Sequence, residues 1–303
     1  MYKKISKCRV CDSKKIVNVV DFGRQPLANG LLKNTRSFRK EKKIPLEVVI
    51  CQKCKLLQLL HTVQPKVLFR KYLWVTGTSN KVRSYREFFY KRIKKYLKKK
   101  ENFVCEVASN DGYFLEDIKK NNEVLGIDPA KNLAKIARKK GIETLTDFFN
   151  LKTSKKIIKL KKKKSDLVVC RNVVPHIENI KEVMKGLNHL ISNNGIGAIE
   201  FHDASNILSK NHYDYIYHEH IFYFTLNSIT RVLNRFGLYA FDYFKSPISG
   251  GSYVLLFKKK KTKFTKNLSN KIAVEKKIGL EKNSTWKKLD KKCIEHKNNF
   301  LKL

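Results

Sequence analysis

Between residues 102 and 257 the chain alternates apolar runs of strand length with amphipathic stretches of helix length. That alternation restricts the fold more than any other feature. Residues 103–107, 123–127, 166–170, 195–201, 238–244 and 252–257 read as strands. Residues 113–121, 132–140, 182–190 and 226–236 read as helices. Leu167, Val168, Val169 and Cys170 form an unbroken apolar run, as a strand covered on both faces requires. Strand and helix in turn predict an α/β fold with a mainly parallel, Rossmann-like sheet.

Two flanking zones differ. Residues 1–80 hold four of the seven Cys and β-like runs such as 46–50. Residues 81–100 form a basic helical connector, with Tyr85, Phe88, Phe89, Ile93 and Tyr96 at roughly helical spacing. Residues 261–303 are Lys-rich and helical in pattern, with helices expected over 276–289 and 291–301. Their apolar Ile278, Leu280, Trp286, Leu289, Ile294, Phe300 and Leu301 need something to pack against. The expected division is a small N-terminal lobe over 1–80, the α/β domain over 81–260, and the helical start of a further lobe over 261–303. No internal repeat is visible.

Cys8 and Cys11 form one C-x-x-C knuckle, and Cys51 and Cys54 form another, with 39 residues between them. Each knuckle presents two thiolates on one side, and two together make the tetrahedral donor set that zinc prefers. Four Cys leave no open position, so the expected Zn2+ is structural. Cys105, Cys170 and Cys293 read as ordinary buried or incidental residues. The start of the chain has no apolar signal region, and no apolar run approaches the roughly 18 residues of a membrane span. Paired Cys in that setting point to a reducing cytoplasm.

The first strand of the α/β zone ends in Glu106, then Ala108, Ser109, Asn110, Asp111 and Gly112 lead into a helix. Ligands of such sheets sit at the carboxyl ends of the strands. The loop lacks G-x-G-x-x-G, and its acidic residues suit a cationic ligand better than a pyrophosphate. The sulfonium and amino group of S-adenosylmethionine fit that description. Asp128 and Pro129 end the second strand, where a carboxylate can accept both ribose hydroxyls.

Asn172 and His176 follow the strand over 166–170, at the mouth of the expected cleft, and Asn172 is grouped with the cofactor residues. Tyr217, His218, Glu219 and His220 come later, in a segment dense in Tyr and His. Such a cluster suits proton transfer, because imidazole titrates near neutrality. If extended, the segment would put Tyr217 and Glu219 on one face and His218 and His220 on the other. The bland alternatives are a second metal site or satisfied structural histidines.

These residues resemble the nucleotide-sugar C-methyltransferases. The resemblance runs through both C-x-x-C knuckles, Gln25-Pro-Leu-Ala-Asn29, Leu56, Gln58, Phe69, Tyr72 and Thr78-Ser79. It continues through Ser109–Gly112, Gly126–Ala130, Asn172 with His176, Tyr217–His220 and Gly250-Gly-Ser252. It implies a class I methyltransferase sheet using S-adenosylmethionine, and a nucleotide-linked 4-keto-deoxysugar substrate. In this reading His220 removes the proton beside the ketone, and Tyr217, Glu219 and His176 orient or polarise the sugar. Asp128 holds ribose, and Asp147 and Phe148 flank adenine. Two departures stand out: Ser249 replaces a usual His before Gly250-Gly-Ser252, and family members run on into a further Rossmann-like lobe.

The net charge of +40 favours a competing reading, an RNA methyltransferase with a zinc module. The 66 basic residues comprise 54 Lys and only 12 Arg, spread over nearly every polar segment. Readers of phosphate and bases lean on the bidentate guanidinium, so this balance speaks against nucleic acid and for compositional drift.

Overall fold

The computed structural model of the chain describes residues 2–32, 34, 41–68, 75–78, 80–248 and 250–302. Phe69, Tyr72, Ser79 and Ser249 lie outside the described residues. The strands are β1 (Tyr2–Lys4), β2 (Ile16–Gln25), β3 (Ile44–Cys51), β4 (Leu57–Leu59), β5 (His61–Val63), β6 (Phe103–Val107) and β7 (Glu123–Ile127). They continue with β8 (Thr144–Leu145), β9 (Ser165–Arg171), β10 (Ile191–His202), β11 (Phe222–Tyr223), β12 (Tyr239–Ser246) and β13 (Ser252–Lys258). The helices are α1 (Pro65–Leu68), α2 (Asn80–Lys94), α3 (Leu115–Lys119), α4 (Lys131–Lys139), α5 (Leu151–Lys161), α6 (Ile180–Leu190), α7 (Ser205–Ser209), α8 (Leu226–Arg235), α9 (Lys266–Lys277) and α10 (Asn283–Phe300).

One sheet has seven strands in the order β12-β13-β10-β9-β6-β7-β8. From β10 to β8 all pairs are parallel, while β13 is antiparallel to β10 and to β12. Side chains alternate across this sheet, which sends successive residues into two cores. Phe103, Cys105 and Val107 pack with α5, α6 and α8; Val104 packs with α2, α3 and α4. Leu167 to Cys170 divide the same way and are at most 2% exposed, as the unbroken apolar run requires. The chain leaves β6 toward β7 and β8 in one direction and toward β9 and β10 in the other. The crevice at that reversal faces the carboxyl ends of β6 and β9.

A second sheet, in the order β11-β4-β3-β2, is antiparallel throughout. Its fourth strand, β11, comes from the middle of the α/β region. Val19, Val20, Leu46, Val48, Leu57 and Leu59 form its core, and Leu280, Trp286 and Leu289 cover it. The C-terminal segment therefore packs back onto the N-terminal lobe.

Some features depart from expectation. Helix α5 and the short β8 are additional; Leu151, Ile157 and Ile158 lie among lysines that blur their spacing. The side chain of Asn150 accepts from Thr153 N at 3.0 Å and caps α5, a start signal readable from composition alone. The expected helix over 276–289 is broken, because Gly279 takes φ +75° and ends α9. Gly279 N donates to Lys276 O at 3.0 Å and Leu280 N to Glu275 O at 3.1 Å, a Schellman termination. Of the tail's apolar residues, Leu280, Trp286 and Leu289 are buried, whereas Ile278, Ile294, Phe300 and Leu301 are exposed. Among the described residues no helix is long and apolar enough to cross a membrane.

Candidate active site and metal centre

Cys8, Cys11, Cys51 and Cys54 converge, with all four sulfurs buried and within 4.8 Å of one another. The near contacts cross the knuckles: Cys8 Sγ is 3.6 Å from Cys54 Sγ, and Cys11 Sγ is 3.4 Å from Cys51 Sγ. A zinc–sulfur bond of ~2.3 Å implies a tetrahedron edge of about 3.8 Å, so this donor set fits the ion. One left-handed residue follows each knuckle, Asp12 at φ 57° and Lys55 at φ 61°. Four buried thiol groups leave no open position for substrate, which makes the site structural.

The loop expected to hold the cofactor joins β6 to α3. Ala108 at φ 55°, Asn110 at φ 54° and Gly112 at φ 72° give it three left-handed turns. Asp128, at the end of β7, accepts from Asn110 N at 2.8 Å through Oδ2 and from Ala130 N at 2.8 Å through Oδ1. Burial pushes its carboxyl up to about 6, against those two donors. Gly126 sits where an added Cβ would lie 2.5 Å from Ser109 Oγ, so only glycine lets the loop approach β7.

A cavity of about 1050 Å³ opens beside these residues, and Ala108, Asn110, Asp128, Phe148 and Asn172 line it, with Pro129 and Asp147 at its wall. It has room for a ligand of nucleoside size and more. The remaining expected cofactor residues turn elsewhere. Glu106 is 1% exposed and paired with Arg171, whose Nε and Nη2 lie 2.7 and 2.6 Å from Oε1. Burial pushes the Glu106 carboxyl up and Arg171 opposes it. Asp111 pairs with Lys140 at 2.7 Å, Ser109 is buried against Gly126, and Gly112 packs on Ala137 and Ile142. Arg171 itself lines the cavity, and its guanidinium carbon lies 3.2 Å from the Phe114 ring centroid. The only sequence signal for it is a cation closing an apolar strand.

A second cavity, of about 340 Å³, is lined by His176, His202, Tyr215, Tyr217 and His220. Asn172, His176 and Tyr217 belong to both cavities, so the two adjoin there. The segment through Tyr217 is not extended. His220 N donates to Tyr217 O at 3.0 Å, which closes a turn and brings their side chains together. Tyr217 Oη lies 3.1 Å from His220 Nε2, while His218 and Glu219 point away. The expected pairing of Tyr217 with Glu219 is therefore replaced by Tyr217 with His220. His218 donates through Nε2 to Ile44 O at 3.1 Å, and Glu219 accepts from Asn29 Nδ2 at 2.7 Å.

Carbonyl partners decide the imidazole tautomers, because a carbonyl only accepts. His220 Nδ1 donates to Tyr215 O at 2.8 Å, which leaves Nε2 as the basic nitrogen of the neutral ring. His176 Nδ1 donates to Glu219 O at 3.0 Å, and the two rings are 4.7 Å apart. Burial lowers His220 to about 4; burial and then the neighbouring His220 lower His176 to about 3. Both rings are neutral at pH 7, able to take a proton or to share one with a bound oxygen. His202, which sequence reading missed, stacks on Tyr215 at 3.6 Å between centroids.

Residues 8–69 match a family described as "Putative zinc binding domain", and residues 82–241 match one described as "Methyltransferase domain". A curated relative, "C-methyltransferase NovU" of Streptomyces niveus, is 32% identical over 253 residues. That alignment covers 83% of this chain and 60% of the relative, so the chain spans well under two thirds of the relative's length. Among solved structures, a magnesium protoporphyrin IX methyltransferase from Synechocystis PCC 6803 with bound SAM is 13% identical, covering 65% of this chain and 97% of that one, with TM-score 0.45. A SAM-dependent methyltransferase from Archaeoglobus fulgidus is 17% identical, covering 57% and 94%, with TM-score 0.45.

Proposed function

The chain belongs to the methyltransferase domain family, with S-adenosylmethionine as cofactor and a structural zinc lobe, and from that premise we propose that it C-methylates a nucleotide-linked 4-keto-deoxysugar. The relative named as a C-methyltransferase supports carbon as the acceptor. The observation that carries the chemistry is the His220 imidazole. Its Nδ1 is committed to Tyr215 O, and its basic Nε2 lies beside Tyr217 where the two cavities adjoin.

In this reading the sugar occupies the smaller cavity, with the carbon next to its ketone facing His220. His220 Nε2 takes the proton from that carbon, and the electron pair moves onto the ketone oxygen as an enolate. Tyr217 Oη is the group that would donate a proton to that oxygen, and His176 would orient the sugar beside it. When bound, S-adenosylmethionine supplies an electrophilic sulfonium methyl, which the nucleophilic carbon takes. Asp128 would hold the ribose hydroxyls, while Asn110, Asp147, Phe148 and Asn172 complete the cofactor wall. Glu219 serves by fixing the turn and not by touching the sugar. The division at residues 80 and 260 belongs to the same proposal.

The test is incubation with S-adenosylmethionine and a panel of 4-keto sugar nucleotides, followed by mass spectrometry. Gain of one methyl group on carbon is the expected result. Methylation of RNA, or of none of the ketones, would overturn the reading.

A further inference from the structure

We propose that Gln58 is a positioning residue for the imidazole pair, joining the metal cluster to the strand that sets His220 in place. The base side of the active site then hangs on the N-terminal lobe. The claim about catalysis rests on reading His220 as the base; the anchoring does not.

His218, Glu219, Ile221, Phe222 and Tyr223 each touch that lobe. His218 Nε2 donates to Ile44 O at 3.1 Å, and Asn29 Nδ2 donates to Glu219 at 2.7 Å. Leu59 N donates to Ile221 O at 2.9 Å. Phe222 and Tyr223 pair with Gln58 and Leu57 as β11 joins β4. Ile221 N also donates to Pro175 O at 2.8 Å, one residue from His176. That bond sets the turn bearing His220 against the turn bearing His176, so the lobe registers both rings at once.

Gln58 sits where this register meets the metal ligands. Its side chain is wholly buried. Its Nε2 donates to Cys8 Sγ at 3.2 Å, and its Oε1 accepts from Arg9 N at 3.1 Å and Arg9 Nη1 at 3.2 Å. An N–H bond to a ligating thiolate stabilises that ligand, and loss of such a partner typically costs about 10–100-fold in metal affinity. The same residue's backbone holds Phe222, two residues beyond His220. Asn110 and Asp128, by contrast, are held from the β6–β7 pair. Loosening the metal cluster should therefore disturb the sugar side of the site and spare the cofactor side.

The experiment compares zinc-loaded wild type with Gln58→Leu, which keeps size and backbone pairing. Three measurements are made: zinc transfer to a chromophoric chelator, amide hydrogen–deuterium exchange, and calorimetric binding of S-adenosylmethionine. We expect zinc transfer at least tenfold easier and exchange at 218–223 at least tenfold faster. Exchange at 123–127 should be unchanged and cofactor affinity should stay within threefold. Chelator-stripped wild type should show the same local pattern, and that arm decides the matter if the variant does not fold. Unchanged exchange at 218–223 in stripped wild type overturns the proposal. So does uniform acceleration that includes 103–107 and 165–171, since Gln58 would then only stabilise the fold. Local loosening in a protein that enolises no ketone supports the anchoring and removes only the reading of His220 as base.

Discussion

The side-chain amide of Asn29 donates to the carboxylate of Glu219 at 2.7 Å, across 190 residues of sequence. The first belongs to the Gln25–Asn29 string and the second to the Tyr217–His220 string. Glu219 is 5% exposed, and burial pushes its carboxyl up while Asn29 opposes that. The bond joins the two stretches and leaves Tyr217 and His220 facing the cavity.

Removing Asn29 leaves the Glu219 carboxyl buried without that donor, whereas Asn29 itself is exposed. We predict that Asn29→Ala costs about 1.5–3 kcal/mol, the range for a hydrogen bond to a charged group. Adding Glu219→Gln should recover part of the loss, because an uncharged amide costs less to bury. Calorimetric melting of the two single variants and the double variant tests this. Additive losses in the double variant would count against a direct coupling.

The pH dependence follows from the imidazoles. His176 and His220 sit at about 3 and about 4, below the ordinary 6.5. As pH falls, the unfolded chain binds protons at these residues before the folded chain does. Their contribution to stability is therefore complete above pH 6.5 and declines from there to about pH 4 for His220 and about pH 3 for His176. For His220 alone the loss is on the order of 3 kcal/mol. Melting temperature should fall over that window, and His220→Gln should blunt the fall. An equally steep fall in the variant would show that other groups control it.

The proposed base, His220, held at about 4, would also shift the rate profile. We predict that the acid limb of turnover lies near that value and not near 6.5, and that His220→Ala loses about 10²–10⁴-fold. Turnover against pH, with cofactor binding measured alongside, checks both. Near-normal turnover by His220→Ala together with an inactive His176→Ala would exchange the two roles.

Asp128 accepts two backbone N–H bonds that shape the proposed cofactor loop. We predict that Asp128→Asn weakens S-adenosylmethionine binding by about 10–100-fold, because each charge-assisted bond contributes about 1.5–3 kcal/mol and 1.4 kcal/mol is tenfold. Calorimetry returning an unchanged dissociation constant would move the ribose elsewhere.

Trp286 is 2% exposed, and its indole Nε1 donates to Leu280 O at 2.8 Å. It closes the core that Val19, Val20, Leu46 and Val48 begin. Trp286→Ala should cost about 3–5 kcal/mol, as large aromatic truncations do. A loss below ~1 kcal/mol in chemical denaturation would show that the C-terminal segment is not integral to the lobe.

The amino-acid pattern by itself determined the parallel sheet and the convergence of Cys8, Cys11, Cys51 and Cys54. It also placed Ala108, Asn110 and Asp128 at the strand ends. These follow from local rules: strand residues alternate, buried strands are apolar throughout, and knuckles are short turns. Tertiary structure alone decided the rest. Glu106 reads as a free carboxylate until β9 lies beside β6 and brings Arg171 to it. Tyr217 pairs with His220 because the backbone turns there, and a periodicity of two cannot report a turn. Phe222 joins Gln58 only when the two regions of the chain form one sheet, and no sequence period spans that distance. Strand pairing between distant segments depends on which edges the rest of the fold leaves open, so which lobe carries the proposed base was never written in the local pattern.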